Sequence, residues 1–97
     1  MFARLTVLQF IAARADEGFA IVSDSIVPSI KEQHGFKGLL LLRDASTRSA
    51  SVLSLWESEG DMDATAAGNF PIQMAKVSAL VAGQPSRRVY EVSELSI

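Results

Sequence analysis

The 97-residue chain has no cysteine and only one histidine, one tryptophan and one tyrosine. Without cysteine there is no disulfide, no thiol nucleophile and no thiolate-bound metal, and a cytoplasmic address suits such a chain. No apolar stretch approaches the ~20 residues that span a bilayer. The longest unbroken run, "GLLLL" at 38–42, has the length of a strand. Arg4 and Gln9 interrupt the only apolar run near the N-terminus, so a secretory leader is not expected there. Nine basic residues are scattered among eleven acidic ones for a net charge of −2, which lacks the basic footprint of a nucleic-acid partner. Phosphate-loop, nucleophile-elbow and zinc-helix motifs are missing, as is any carboxylate–histidine cluster at metal-ligand spacing. Neither a metal nor another cofactor is expected.

What the chain does have is apolar surface. Hydrophobic residues make up 48% of it, and mean hydropathy is +0.23. A domain this small buries only about two-thirds of its unfolded surface. The surplus points to a subunit interface, a ligand cavity or both.

"FARLTVLQF" at 2–10 reads as a strand, with Phe2, Arg4, Thr6 and Leu8 on one face and Ala3, Leu5, Val7 and Gln9 on the other. Both faces are mostly apolar, so both sides of the sheet are expected to be covered. From Asp16 the period becomes helical, with Phe19, Val22, Ile26 and Ile30 on one stripe. Pro28 lies inside that pattern and predicts a kink between Asp24 and Pro28. "FKGLLLLRD" and "SASVLSLWE" are two strands joined by the hairpin "ASTRS". Ser58 with Asp61 marks the start of a second helix. "AAGNFP" at 66–71 interrupts that helix, and the spacing resumes at Met74, Val77, Leu80 and Val81. "RRVYEVSE" is a last strand.

The order β-α-β-β-α-β predicts one α+β domain over 1–97, of the ferredoxin-like kind: a four-stranded antiparallel sheet with its helices on one face. In the third strand Leu53 and Leu55 oppose Val52, Ser54 and Trp56, and in the second Leu39 and Leu41 oppose Leu40 and Leu42. Helices cover only one side of such a sheet. A homodimer that packs sheet face on sheet face is the simplest cover for the other.

Three features carry a family resemblance. They are Pro28 late in the first helix, "GFKG" (35–38) entering the second strand, and "LWESEGDM" (55–62), where Trp56 closes the third strand before an acidic helix start. Together with the element order they resemble the antibiotic biosynthesis monooxygenase-like domains of the dimeric α+β barrel superfamily, over nearly the whole chain. The resemblance implies a dimeric α+β barrel with a cavity between sheet and helices. The superfamily's activities include cofactor-free oxygenation of aromatic polyketides, heme degradation, isomerisation and decarboxylation. Heme degradation needs an asparagine on the first strand and a histidine ligand on the second helix, and Ala3 and Met74 stand at those places. That branch is therefore not expected.

On this resemblance the expected cavity lining is Leu5, Val7, Val52, Ser54, Trp56 and Met74, with Tyr90 as a hydrogen-bond donor and Asn69 and Phe70 on a lid. Trp56 is either a cavity wall or a plain core residue. Arg4 is expected on the opposite face, ion-paired across the dimer with Glu91 or Glu94, and His34 in solvent at a helix end. No general base is evident. Two functions stand: a cofactor-independent oxygenase acting on a small flat phenol or quinol, or a non-catalytic dimeric module that binds a small apolar molecule or has a packed interior.

Overall fold

The computed structural model describes residues 1–97. Strand β1 (Phe2–Gln9) leads through a short 3-10 turn (Ala12–Arg14) into helix α1 (Ala15–Ile21), a π-helical turn (Val22–Ile26) and helix α2 (Val27–Lys31). Strands β2 (Phe36–Asp44) and β3 (Ser49–Trp56) follow, then helices α3 (Glu59–Ala67) and α4 (Asn69–Ala75), then strand β4 (Ser86–Glu91). The strands form one antiparallel sheet in the order β2-β3-β1-β4. This is the ferredoxin-like arrangement.

The irregularity expected between Asp24 and Pro28 is the π-helical turn. Pro28 has no N–H to give to the carbonyl four residues back, and the helix widens just before it. Val22, Ile26 and Ile30 are buried along one stripe of this helical run. Ser58 caps α3 by accepting a hydrogen bond from the Asp61 backbone N–H at 3.1 Å. The break expected over 66–71 narrows to one residue, Gly68. Pro71 falls in the first turn of α4, where its missing N–H has no helical partner to lose. Gly35 turns the chain into β2 at φ +82°, and a Cβ there would run into the Asp61 side chain; glycine is required on both counts.

Pairing fixes which residues share a face. Arg4 lies opposite Ser54 and Val89, Thr6 opposite Val52 and Arg87, and Leu5 opposite Leu53 and Arg88. Phe2, Arg4, Thr6, Leu8, Ala50, Val52, Ser54 and Trp56 therefore share one face, and the core built on Leu8, Val52 and Trp56 joins it to Val22, Ile26 and Met62 of the helices. Leu5, Val7, Leu53, Leu55 and Tyr90 are on the other face. Two expectations are corrected here. Leu5 and Val7 point away from the helices, and Arg4 points toward them, out of reach of a partner's sheet. Successive strand residues alternate sides, so a one-residue error in register exchanges the two faces. Nothing covers Leu40 and Leu42, which are more than half exposed. The chain continues the β1–β4 ladder one residue past β4, Val92 N–H bonding Met1 O at 2.9 Å. Its last three residues border a groove of about 470 Å³ on this face with Leu40, Leu53 and Leu55.

Candidate functional site

Between the sheet and the helices β1 contributes Arg4, Thr6 and Leu8, β3 contributes Val52 and Ser54, and α4 contributes Asn69, Phe70, Gln73 and Met74. Ile26 and Ile30 close the far side. The space left among them is about 20 Å³, room for about one water molecule.

Arg4 is the unusual member. It is 3% exposed yet belongs to none of the ion pairs of the protein. Buried guanidinium groups ordinarily have a carboxylate partner. Its one hydrogen bond runs from Nη1 to the Met62 carbonyl oxygen at 3.3 Å, out of five N–H donors. Two rings supply the rest of its surroundings, with their centres 5.5 Å (Trp56) and 5.0 Å (Phe70) from the guanidinium carbon. Burial and the like charge of Arg87 push the Arg4 pKa down to about 10, against the raising effect of Asp63. The group is charged at neutral pH.

Trp56 is fully buried, edge-on to Phe36 with ring centres 6.0 Å apart. Its indole N–H donates to Ser54 Oγ at 2.9 Å, and Ser54 Oγ donates to the Arg4 carbonyl at 3.4 Å. Trp56 thus supports Arg4 from beneath rather than presenting an open wall. Across the pocket, Gln73 Nε2 donates to Ser29 Oγ (2.8 Å) and Asn69 Oδ1 (2.9 Å). Gln73 is 4% exposed, and its Oε1 is buried with no hydrogen-bond partner. A guanidinium with one hydrogen bond and an orphan acceptor thus line one small space, and a buried polar atom without a partner calls for an explanation.

Of the residues expected from sequence, Val52, Ser54, Asn69, Phe70 and Met74 line this pocket. Trp56 sits behind it, and Leu5 and Val7 lie on the other face. Tyr90 is half-exposed opposite Ala3, on that same outer face. Arg4, Thr6 and Gln73 were the polar residues missed. An arginine alternating with Phe2 and Leu8 in an apolar strand was the available signal. Gln73 carried a second, lying one helical turn after Asn69. His34 stands in solvent as expected, 3.6 Å from Asp61 and outside the residues that line the pocket.

No protein-family model matches the sequence, and no curated protein is significantly similar to it. Solved structures are similar over nearly their whole length. A protein of unknown function from Nitrosomonas europaea superposes with a TM-score of 0.84 at 14% identity, covering 99% of this chain and 92% of its own. One from Deinococcus radiodurans, provisionally named an antibiotic biosynthesis monooxygenase, gives 0.83 at 17%, covering 100% and 97%. A monooxygenase of Streptomyces coelicolor, solved with nanaomycin D bound, gives 0.73 at 15%, covering 99% and 90%. This chain therefore has the fold of the antibiotic biosynthesis monooxygenase-like proteins, as the resemblance implied.

Proposed function

We propose that this protein is a cofactor-independent oxygenase-like enzyme acting on a small flat phenol or quinol. The observation that carries the reading is Arg4, charged and without a carboxylate partner in a pocket walled by Phe70 and backed by Trp56. A positive charge a few Å away lowers the pKa of a bound phenol by about 1–3 units. Ionisation of the substrate then needs no separate base, and none of the lining residues is one. The anion, held dry against Arg4, reacts with O2 directly. For an anthrone the change is CH2 + O2 to C=O + H2O, which requires no further reductant. The protein supplies orientation and exclusion of water. A substrate enters only if Phe70 and α4 move away. Oxygen consumption with anthrone or hydroquinone above the buffer rate, and its loss in Arg4→Met, is the expected result; buffer rates for both substrates count against catalysis.

The second reading is a non-catalytic module, and one observation favours it: Trp56 is fully buried beside a space of only about 20 Å³. The similarity to a monooxygenase solved with nanaomycin D bound supports the first. Both readings include a cytoplasmic homodimer through the outer sheet face, where Leu5, Leu40, Leu53 and Tyr90 stand together.

A further inference from the structure

Phe70 stands between two cations. The Arg87 guanidinium carbon lies 4.7 Å from its ring centre and that of Arg4 lies 5.0 Å from it. Arg87 comes from β4, opposite Thr6 on the helix-facing side of the sheet, and like Arg4 it has no carboxylate partner. The two guanidinium groups thus share one half-buried ring, and the buried one, Arg4, has besides it only the Trp56 ring, a single hydrogen bond to the Met62 carbonyl oxygen and the charge of Asp63 beyond ion-pair distance. A ring face attracts a guanidinium less strongly than a carboxylate does through paired, charge-assisted hydrogen bonds. In the pocket that Arg4 and Phe70 line, Gln73 Oε1 is buried without a donor.

We propose that the ligand of this pocket is an aromatic carboxylate that also carries a hydroxyl, and that its ring takes the place Phe70 holds between Arg4 and Arg87. The inference rests on the reading of this space as a ligand pocket and adds to it the chemical class of the ligand. The carboxylate sits at the mouth, where Arg87 is exposed, and it relieves the mutual repulsion of the two guanidinium groups that helps hold the Arg4 pKa down. The hydroxyl donates to Gln73 Oε1. Phe70 is a stand-in for the ligand: a single benzene ring held on two cations by a short helix. That helix is joined to α3 through Gly68 alone. With the ring displaced, the nearly filled interior opens to a flat ring, which reconciles a space for one water with a function in binding.

Calorimetric titration of the full chain with 4-hydroxybenzoate, its methyl ester and benzoate tests this. The acid is expected to bind at least tenfold more tightly than the ester, which lacks the negative charge. Benzoate, lacking the hydroxyl, is expected to fall in between. Arg87→Gln, at a solvent-exposed position, removes most of the preference for acid over ester, with the fold checked as intact by circular dichroism. Phe70→Leu, which keeps the apolar plug but not the ring on the cations, tightens acid binding several-fold. Equal affinity for acid and ester, or an equal loss of both in Arg87→Gln, overturns the carboxylate assignment while leaving an uncharged phenol as substrate. Absence of binding by all three compounds, in both wild type and Phe70→Leu, overturns the proposal and the pocket reading together.

Discussion

At Arg4 the loss of hydration of a guanidinium is set against one hydrogen bond of 3.3 Å and two ring faces. Replacement by methionine, which is similar in length and apolar, is expected to leave stability unchanged or raise it by about 0–2 kcal/mol, because a buried charge without a good partner contributes little to folding. The sign with pH is also defined. Burial and Arg87 bring the folded group down to about 10, below its ordinary range in the unfolded chain, so the folded chain sheds its proton first. Wild type therefore gains stability relative to Arg4→Met as pH rises above about 10, and gains none below that. Denaturant midpoints of the two proteins, compared at neutral and alkaline pH, check both points. Arg48 is a second strained residue: it ends the hairpin between β2 and β3 at φ +55°, a left-handed conformation that costs a side-chain-bearing residue of order 1 kcal/mol. Arg48→Gly is expected to stabilise the protein by about 0.5 kcal/mol in the same assay, part of the relief being cancelled by glycine's greater freedom when unfolded.

Among the elements, Gly35 and Gly68 have opposite characters. Gly35 combines a positive φ with close contact to Asp61, so Gly35→Ala is expected to cost ~2 kcal/mol or more in thermal unfolding. Gly68 joins two helices, of which α4 has only seven residues, fewer than an isolated helix needs for stability. Hydrogen exchange over Asn69–Ala75 is expected to be faster than in β1 and β3, as for a door; equal protection would mean that α4 is a fixed part of the core. These elements were largely legible in the sequence, because the period changes cleanly at Asp16 and Ser58 and the turns carry glycine, asparagine and aspartate. The candidate site was legible only in part. Val52, Ser54, Asn69, Phe70 and Met74 were within reach, but β1 is apolar on both sides, so pattern alone does not say which side meets the helices. That ambiguity put Leu5 and Val7 in the pocket and Arg4 outside it. Only the pairing of Arg4 with Ser54 resolves it.

For the whole molecule, the outer face of the sheet carries Leu5, Val7, Leu40, Leu42, Leu53 and Leu55, with Leu40 and Leu42 more than half exposed, and a contiguous apolar face of this kind suits an interface. Light scattering at micromolar concentration is expected to give about twice the 10.4 kDa chain mass, and Leu53→Glu is expected to give the monomer; a monomeric wild type would refute the paired sheets. The central claim concerns the other face, where a buried cation awaits an anionic aromatic ligand. The Arg4 Nε–H resonance in a nitrogen-15 spectrum reports on it most directly, since burial slows the exchange of that proton with water. Addition of 4-hydroxybenzoate is expected to shift this resonance along a saturable curve whose midpoint matches the calorimetric Kd. A resonance that stays in place at saturating ligand would contradict the account.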